Sequence, residues 1–310
     1  MKVLVTCPPM LGMMSHFMPI FESKGVSVTT PDVVQTLSIQ ELKNIVPAHD
    51  GWIIGDDPAT REVFESGKKG NLKAAVKWGI GVDNVNFQAC RELDIPIVNT
   101  PNMFGAEVAD TALGYVIALA RETFQIDQGV RQGKWPKPRG ISLSGKTAAI
   151  IGFGDIGQNL GHRLKALGLK IIAYDPHITF NEELKLIADN QIWPDKIEQA
   201  DFIIFTCALT KDTKHLLNSE IIKTTKEGVR IINVARGPII DEEALIDGLK
   251  NGHIYSCALD VFETEPLPLN SYLRIHSRTI LGSHNASNTE DAVIKTSNLA
   301  ISKLLEFLNI

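Results

Sequence analysis

The chain has 310 residues, a net charge of −5 and 44% hydrophobic residues, which gives it enough length and apolar content for two folded domains. Lysine and arginine form no long run, so we expect no nucleic-acid partner. No segment has about 18 uninterrupted apolar residues, so we expect no membrane span.

The first hundred residues alternate short apolar runs with segments of helical pattern. Strands are predicted at residues 3–6, 26–30, 51–54, 72–77 and 97–99, and helices at about 12–23, 38–46, 60–68 and 84–93. Such alternation predicts a parallel sheet covered by helices. The boundary of this domain is predicted near Asn99-Thr100-Pro101-Asn102.

A long apolar helix is predicted next, from about Ala106 to Arg121. It is hydrophobic on more than one face, so it is either a core helix or part of a subunit interface. A loop at 133–140 that is rich in proline, lysine and arginine then leads to a strand at 147–151.

The second half repeats the pattern of strands and helices. Further strands are predicted at residues 170–174, 202–206, 229–234, 254–259 and 280–282. The sequence Ser287-Asn288-Thr289-Glu290 predicts a capping box with Ser287 as the N-cap of a closing helix. That helix is long enough to pack back onto the first domain.

A glycine-rich turn follows the strand at 147–151. Gly152, Gly154 and Gly157 form the pattern G-x-G-x-x-G, in which they allow a tight turn, the close approach of a pyrophosphate and close packing of helix on strand. Asp175 lies 18 residues after Gly157, at the end of the next strand, where a carboxylate accepts from a ribose 2′-hydroxyl. The combination predicts a site for NAD rather than NADP; the alternative is a glycine-rich turn of any α/β domain.

Three polar clusters follow successive strands of the second half. Arg236 follows the strand at 229–234, the acidic segment 260–265 follows the next strand, and His284 follows the last. Ligands of open α/β sheets bind outside the carboxyl ends of the strands. Each residue alone could be an ordinary polar group, but a guanidinium, a carboxylate and an imidazole together predict a functional site.

Several long motifs resemble one family in the same order. They are Gly79-Ile80-Gly81-Val82-Asp83-Asn84-Val85, Asn99 to Asn102, the glycine turn, Asn233 to Asp241, Asp260 to Pro266, and His284. From about Lys43 onward the chain resembles the D-isomer-specific 2-hydroxyacid dehydrogenases, and within them the phosphoglycerate dehydrogenases, in a short form without a regulatory domain.

The resemblance implies an α/β protein with two Rossmann-like or flavodoxin-like domains, each with a parallel sheet, and an active site in the interdomain cleft. Residues 1–100 and 286–310 would form a discontinuous substrate domain, and residues 101–285 the NAD-binding Rossmann domain. It also implies a homodimer formed through the region of the 106–121 helix.

The resemblance also implies the site residues. The catalytic groups would be Arg236, Glu265 and His284. The cofactor contacts would be Gly152, Gly154, Asp155, Ile156, Gly157, Asp175, Val234, Ala235, Arg236, Asp260, His284 and Ser287. The substrate contacts would be Trp78, Gly79, Ile80, Gly81, Asn102, Arg236 and His284, with backbone N–H groups of the glycine loop facing the substrate carboxylate.

The implied reaction is hydride transfer between NAD and a small 2-hydroxy or 2-oxo acid. Arg236 would bind the substrate carboxylate in a planar fork, and protonated His284 would donate to the carbonyl oxygen. Glu265, bonded to the other ring nitrogen, would favour the protonated imidazole.

The chain departs from the phosphoglycerate dehydrogenases at two basic positions. They usually carry an arginine before the glycine loop, where this chain has Trp78, and an Arg-Ser pair where it has Gly55-Asp56. Lys77 would compensate only if its side chain points inward. Phosphoglycerate, glyoxylate or hydroxypyruvate, or a sugar-derived hydroxy acid therefore all stay open as substrates.

Two other classes of function are open. Formate or phosphite oxidation uses a similar scaffold, but formate enzymes tend to carry glutamine in place of the catalytic glutamate, so Glu265 argues against it. A non-enzymatic, NAD-sensing protein like the corepressors of this fold is the other alternative.

The four cysteines, Cys7, Cys90, Cys207 and Cys257, have no metal-ligand spacing, so we expect no metal site. Their scattered positions fit a reducing compartment, and an N-terminal strand that breaks at Pro8-Pro9 is too short for a signal peptide. The sequence therefore predicts a cytoplasmic protein.

Overall fold

The computed structural model describes residues 1–310. The chain folds into two compact units, one formed by Met1–Met103 with Asn288–Ile310 and the other by Phe104–Ser287. Both are α/β units with parallel sheets, which confirms the predicted fold class. None of the helices combines the length and apolar character needed to cross a bilayer.

The first unit contains a five-stranded parallel sheet in the order β2-β1-β3-β4-β5. The strands are β1 (Lys2–Val5), β2 (Ser27–Thr29), β3 (Gly51–Ile54), β4 (Ala74–Lys77) and β5 (Ile97–Asn99). The helices are α1 (Pro8–Leu11), α2 (Met14–Ser23), α3 (Ile39–Ile45), α4 (Arg61–Lys69), α5 (Phe87–Glu92) and, from the end of the chain, α12 (Glu290–Leu308). Leu4 of β1 is aligned with Thr29 and Trp52 on its two neighbours.

The closing helix α12 packs directly on the central strands of this sheet. A Cβ atom built on Gly51 would lie 3.1 Å from methyl groups of both Leu304 and Leu308, so the glycine allows the close approach. The N-cap of α12 is Thr289, whose hydroxyl accepts from the N–H of Ala292 at 3.1 Å. The prediction of Ser287 as N-cap was wrong, because the helix begins at Glu290 and its free N–H groups lie within reach of Thr289 instead.

The second unit contains a seven-stranded parallel sheet in the order β12-β11-β10-β9-β6-β7-β8. Its strands are β6 (Thr147–Ile151), β7 (Lys170–Tyr174), β8 (Asp189–Asn190), β9 (Phe202–Phe205), β10 (Val229–Asn233), β11 (Ile254–Leu259) and β12 (Thr279–Leu281). Its helices are α6 (Gly105–Arg121), α7 (Thr123–Arg131), α8 (Asp155–Ala166), α9 (Glu182–Ile187), α10 (Ser219–Thr224) and α11 (Glu242–Asn251). The sequence predicted all of these strands except the two-residue β8.

The strand order reverses between β6 and β9, because the chain runs outward through β7 and β8 and then returns to the other side of β6. Ligands of doubly wound sheets bind at such a switch point. The central strands are buried along their whole length, as in β9, where all four residues are apolar, because helices cover both faces. The glycine turn lies at this switch point, directly after β6.

Helix α6 is a core helix on one side and a surface helix on the other. Val108, Ala112 and Val116 are buried, whereas Ile117 is exposed. This agrees with the first of the two interpretations of its apolar sequence and leaves an apolar side chain on the surface.

Candidate active site

The three glycines after β6 occupy different environments. Gly152 has a φ of +89°, and a Cβ atom there would lie 2.6 Å from the backbone of Cys207. A Cβ on Gly157 would lie 2.2 Å from the carbonyl oxygen of Gly152, whereas one on Gly154 would meet nothing within 4 Å. The first and third glycines are therefore needed for close packing, and the second faces open space, as the close approach of a phosphate group requires.

Helix α8 begins at this turn, with Gly154 as its N-cap. Its first intrahelical bond runs from the N–H of Gln158 to the carbonyl oxygen of Gly154 at 2.9 Å. The N–H groups of Asp155 and Ile156 therefore have no acceptor within the helix. Such N–H groups, together with the helix dipole, favour an anion, so this turn has the donors that a pyrophosphate requires.

Asp175 lies beside the turn, at the end of β7. Its Oδ2 accepts from the N–H of Phe153 at 2.7 Å, and its Oδ1 accepts from the N–H of His177 at 2.9 Å. These bonds fix the carboxylate, and each oxygen keeps a further lone pair for a ribose hydroxyl. Burial, with a smaller effect of Asp175, raises the pKa of the neighbouring Cys207 thiol to about 12, so that this thiol stays protonated at neutral pH.

The three polar clusters lie after neighbouring strands of one sheet. Arg236 lies three residues after β10, Asp260 directly follows β11, and His284 lies three residues after β12. Strands β10, β11 and β12 are adjacent and parallel, so their carboxyl ends form a single edge. The topology therefore brings the predicted guanidinium, carboxylates and imidazole to one edge of the second unit.

Glu265 and His284 are in direct contact. Oε2 of Glu265 lies 2.7 Å from Nδ1 of His284, while Oε1 accepts from the N–H of Phe262 at 2.9 Å. Both side chains are only 20% exposed, so water screens the contact less than at an open surface. The carboxylate thus orients the imidazole through Nδ1.

Asp260 fixes the backbone that carries His284. This buried residue accepts from the N–H of Asn285 at 3.1 Å and from the N–H of Ala286 at 2.9 Å, one on each carboxylate oxygen. Its carbonyl oxygen accepts from the N–H of His284 at 2.7 Å. His284 has a φ of +56°, a left-handed conformation that costs about 1–3 kcal/mol in a residue with a side chain. The three bonds hold His284 in that conformation.

Arg236 lies in a short loop that Asn233 organises. The side chain of Asn233 accepts from the N–H of Ala235 at 3.0 Å and donates to the carbonyl oxygen of Arg236 at 2.9 Å. The guanidinium of Arg236 donates to the carbonyl oxygen of Ala235 at 2.9 Å. Asn233 belongs to one of the motifs found in the sequence but was not predicted to be a site residue. Its position at the end of β10, close to Arg236, is the feature that could have indicated this role.

The first unit contains the other predicted substrate contacts. The N–H of Gly79 donates to the hydroxyl of Thr100 at 2.7 Å, so this N–H group of the glycine loop already has an acceptor within the first unit. The N–H groups of Ile80 and Gly81 have no acceptor in the chain. The indole of Trp78 is buried and donates to the hydroxyl of Ser297 on α12 at 3.0 Å, and Asn102 is exposed with a φ of +56°.

Lys77 points into the first unit, and its side chain is only 3% exposed. Its Nζ donates to the carbonyl oxygens of Gly55 at 2.7 Å and Trp78 at 2.9 Å, and it lies 3.1 Å from Oδ1 of Asp56. An ammonium group has three N–H donors, and all three are used in these contacts. Lys77 therefore has no donor left for a ligand.

Comparison with known proteins identifies the family. Residues 113–286 match the family model described as the D-isomer specific 2-hydroxyacid dehydrogenase, NAD binding domain. The chain belongs to the D-isomer specific 2-hydroxyacid dehydrogenase family. The glycine turn, Asp175 and the three strand ends all lie within the matched residues, so the second unit of this dehydrogenase-family chain is its NAD-binding domain.

The chain is similar to members of this family with different names. It is 40% identical to a hydroxypyruvate reductase of Thermotoga maritima over 233 residues, 74% of each protein. It is 37% identical to the chloroplastic D-3-phosphoglycerate dehydrogenase 2 of Arabidopsis thaliana over 264 residues, 84% of this chain but 42% of that relative. The apo-structure of D-lactate dehydrogenase from Escherichia coli has a TM-score of 0.85 at 28% identity and covers all of this chain and 97% of its own.

Proposed function

We propose that this chain is an NAD-dependent oxidoreductase that interconverts a D-2-hydroxy acid and its 2-oxo acid. The observation that carries the proposal is the 2.7 Å contact between Glu265 and Nδ1 of His284 at the strand edge of an NAD-binding domain. A carboxylate-supported imidazole is a general acid and base, which is what the interconversion of a carbonyl and a hydroxyl group requires.

The side chains at this edge have different roles in the proposed reaction. NAD supplies or accepts the hydride when it is bound. Arg236 binds the carboxylate of the 2-oxo acid, because its planar fork matches that group. His284 donates a proton from Nε2 to the carbonyl oxygen during reduction and takes it back during oxidation. Glu265 holds the imidazole through Nδ1 in both directions.

We propose the following contacts for the cofactor. The N–H groups of Asp155 and Ile156 bind the pyrophosphate, Gly152, Gly154 and Gly157 shape its turn, and Asp175 accepts from the adenosine ribose. The residues that border the nicotinamide are Val234, Ala235, Arg236, Asp260, His284 and Ser287. The open space at Gly154 and the fixed carboxylate of Asp175 support these assignments, and the negative charge of Asp175 favours NAD over NADP.

We propose that the substrate has no phosphate group. In the glycine loop, Ile80 and Gly81 keep N–H groups that suit a carboxylate. Trp78 directly precedes this loop, and Asn102 follows β5, the strand beside β4. The cation nearest to the loop in the chain, Lys77, already has three acceptors, one of them the carboxylate of Asp56. A substrate phosphate would therefore find a carboxylate rather than an available cation there, and like charges repel.

The test uses two substrates that differ only in the phosphate. Oxidation of NADH is followed with hydroxypyruvate and with 3-phosphohydroxypyruvate, and glyoxylate is included as a smaller 2-oxo acid. We expect kcat/KM to be about tenfold or more higher for hydroxypyruvate than for its phosphorylated form. Preference for the phosphorylated compound would refute the substrate class, and no turnover with any 2-oxo acid would refute the function.

We also propose that the protein is a cytoplasmic homodimer. All four cysteines are free thiols, which suits a reducing compartment. Phe124, Val130 and Trp135, on α7 and the loop after it, are exposed apolar side chains, as at subunit interfaces. Light scattering is expected to give a dimer that Trp135→Glu weakens and Ile192→Glu, at another exposed apolar site, does not; a monomeric wild type would contradict this.

A further inference from the structure

The segment that carries Glu265 is held by other parts of the second unit. We call residues 262–265 the acid loop. Oε1 of Glu263 lies 2.7 Å from Nε2 of His215, and the N–H of Glu263 donates to Oε2 of Glu242 at 3.3 Å. A Cβ atom built on Gly237 would lie 1.9 Å from the carbonyl group of Phe262. The acid loop is therefore fixed from three directions by side chain and backbone.

The position of the acid loop determines where the carboxylate of Glu265 points. One oxygen of Glu265 accepts from the N–H of Phe262, which belongs to the same loop, and the other contacts His284. A displacement of the loop therefore changes the distance between Glu265 and the imidazole. Hydrogen bonds weaken steeply when distance and angle leave their optimum, so a small displacement is enough to weaken the support of His284.

The charges around Glu263 explain why His215 matters. Glu242 lies against the backbone of Glu263, and burial, together with the charge of Glu263, raises the pKa of Glu242. The two carboxyl groups repel each other, and His215 is the basic side chain in contact with Glu263. The contact with His215 gives the side chain of Glu263 a partner other than Glu242 and connects the acid loop to residue 215.

His215 is itself presented by a fixed backbone. It has a φ of +51°, its N–H donates to the carbonyl oxygen of Pro238 at 2.8 Å, and its carbonyl oxygen accepts from the side chain of Asn218 at 3.2 Å. Pro238 follows Gly237, the residue that touches the acid loop. Residues 237–238, which follow Arg236, therefore contact both His215 and the acid loop.

We infer that His215 is a positioning residue for Glu265: through Glu263 it fixes the acid loop so that the carboxylate meets Nδ1 of His284. Only the expected effect of a His215 substitution on turnover rests on the proposed function. His215 touches neither of the proposed reacting groups, and its imidazole acts through the loop.

The test compares His215→Ala with His215→Gln and with Lys223→Ala. Lys223 forms a similar exposed ion pair with Glu220 at 2.8 Å in the same unit, so its removal controls for the loss of a surface pair. We expect His215→Ala to lower kcat for hydroxypyruvate about 3- to 10-fold, without a change in KM for NADH, and His215→Gln to restore most of it. The double variant that combines His215→Ala with Glu263→Ala should have a kcat no lower than that of either single variant, because both substitutions remove the same contact.

A second readout does not need turnover. NMR signals of the His284 ring, assigned by comparison with His284→Ala, should shift in His215→Ala and stay in place in Lys223→Ala. Unchanged His284 signals, or a kcat equal to that of Lys223→Ala, would overturn the inference. If the wild type reduces no 2-oxo acid, the proposed function fails, and the NMR comparison still decides the role of His215.

Discussion

Glu265→Gln is the substitution that tests the proposed acid and base most directly. It keeps the size of the side chain but replaces one acceptor oxygen with an NH₂ donor. Both oxygens of Glu265 accept in the structure, one from Phe262 at 2.9 Å and one at the ring of His284 at 2.7 Å. The single side-chain oxygen of glutamine can accept from only one of these partners. The N–H of the other partner then faces the NH₂ group of glutamine, which is a donor.

The expected loss follows from the type of bond that disappears. A hydrogen bond to a charged group contributes about 1.5–3 kcal/mol, and this pair is partly shielded from water. At about 1.36 kcal/mol for each factor of ten, kcat should fall about 13- to 160-fold. NADH binding should not change, because neither the glycine turn nor Asp175 contacts residue 265.

The assay is the reduction of hydroxypyruvate at saturating NADH, with the affinity for NADH measured separately by fluorescence. Glu220→Gln, which alters an exposed carboxylate of the same unit, is the matched control and should behave as wild type. A kcat for Glu265→Gln within about twofold of wild type would show that the carboxylate does not support His284, and the reasoning would be refuted.

Three further predictions concern the second unit. Asp175→Ala should raise the ratio of kcat/KM for NADPH over NADH by about tenfold, since it removes a charge that repels a 2′-phosphate; an unchanged ratio would contradict the ribose assignment. Gly157→Ala should abolish NADH binding, because its Cβ would lie 2.2 Å from a backbone oxygen, whereas Gly114→Ala on α6 meets nothing within 4 Å and should bind normally; equal binding by both variants would contradict the packing argument. Burial raises the pKa of Glu242 on folding, so its ionisation costs nothing below the unfolded pKa of about 4.3, and the cost grows as the pH rises through the folded pKa. Glu242→Gln should therefore raise the urea midpoint at pH 7 but not below about pH 4, and an equal effect at both would be the contrary result.

The sequence predicted the parts of the fold that local pattern determines. The strands of the second unit are apolar runs because both faces of the sheet are covered. Strands β6, β9 and β10 could therefore be predicted from runs of apolar residues in the sequence. The clusters at Arg236 and His284 could be joined because parallel strands of one sheet end at the same edge. The site was therefore predictable to the extent that it depends on strand ends.

The sequence could not predict contacts that depend on which of several suitable groups is within reach. Ser287 and Thr289 are both of a residue type that is favoured at an N-cap, and only the position of the helix start at Glu290 selects Thr289. His215 and Glu263 are 48 residues apart, and no periodicity joins them. Such choices depend on the tertiary structure, because a hydrogen bond forms only at the right distance and angle.

Lys77 illustrates how such a contact alters a functional conclusion. A lysine at the end of a strand beside the glycine loop has the position of a phosphate ligand, and from the sequence it could compensate for the missing arginine. A buried ammonium group, however, requires acceptors around it, and the carbonyl oxygens of Gly55 and Trp78 and the carboxylate of Asp56 provide them. The lysine therefore joins the loops after β3 and β4 to each other, and the same contacts that stabilise it there make it unavailable to a substrate.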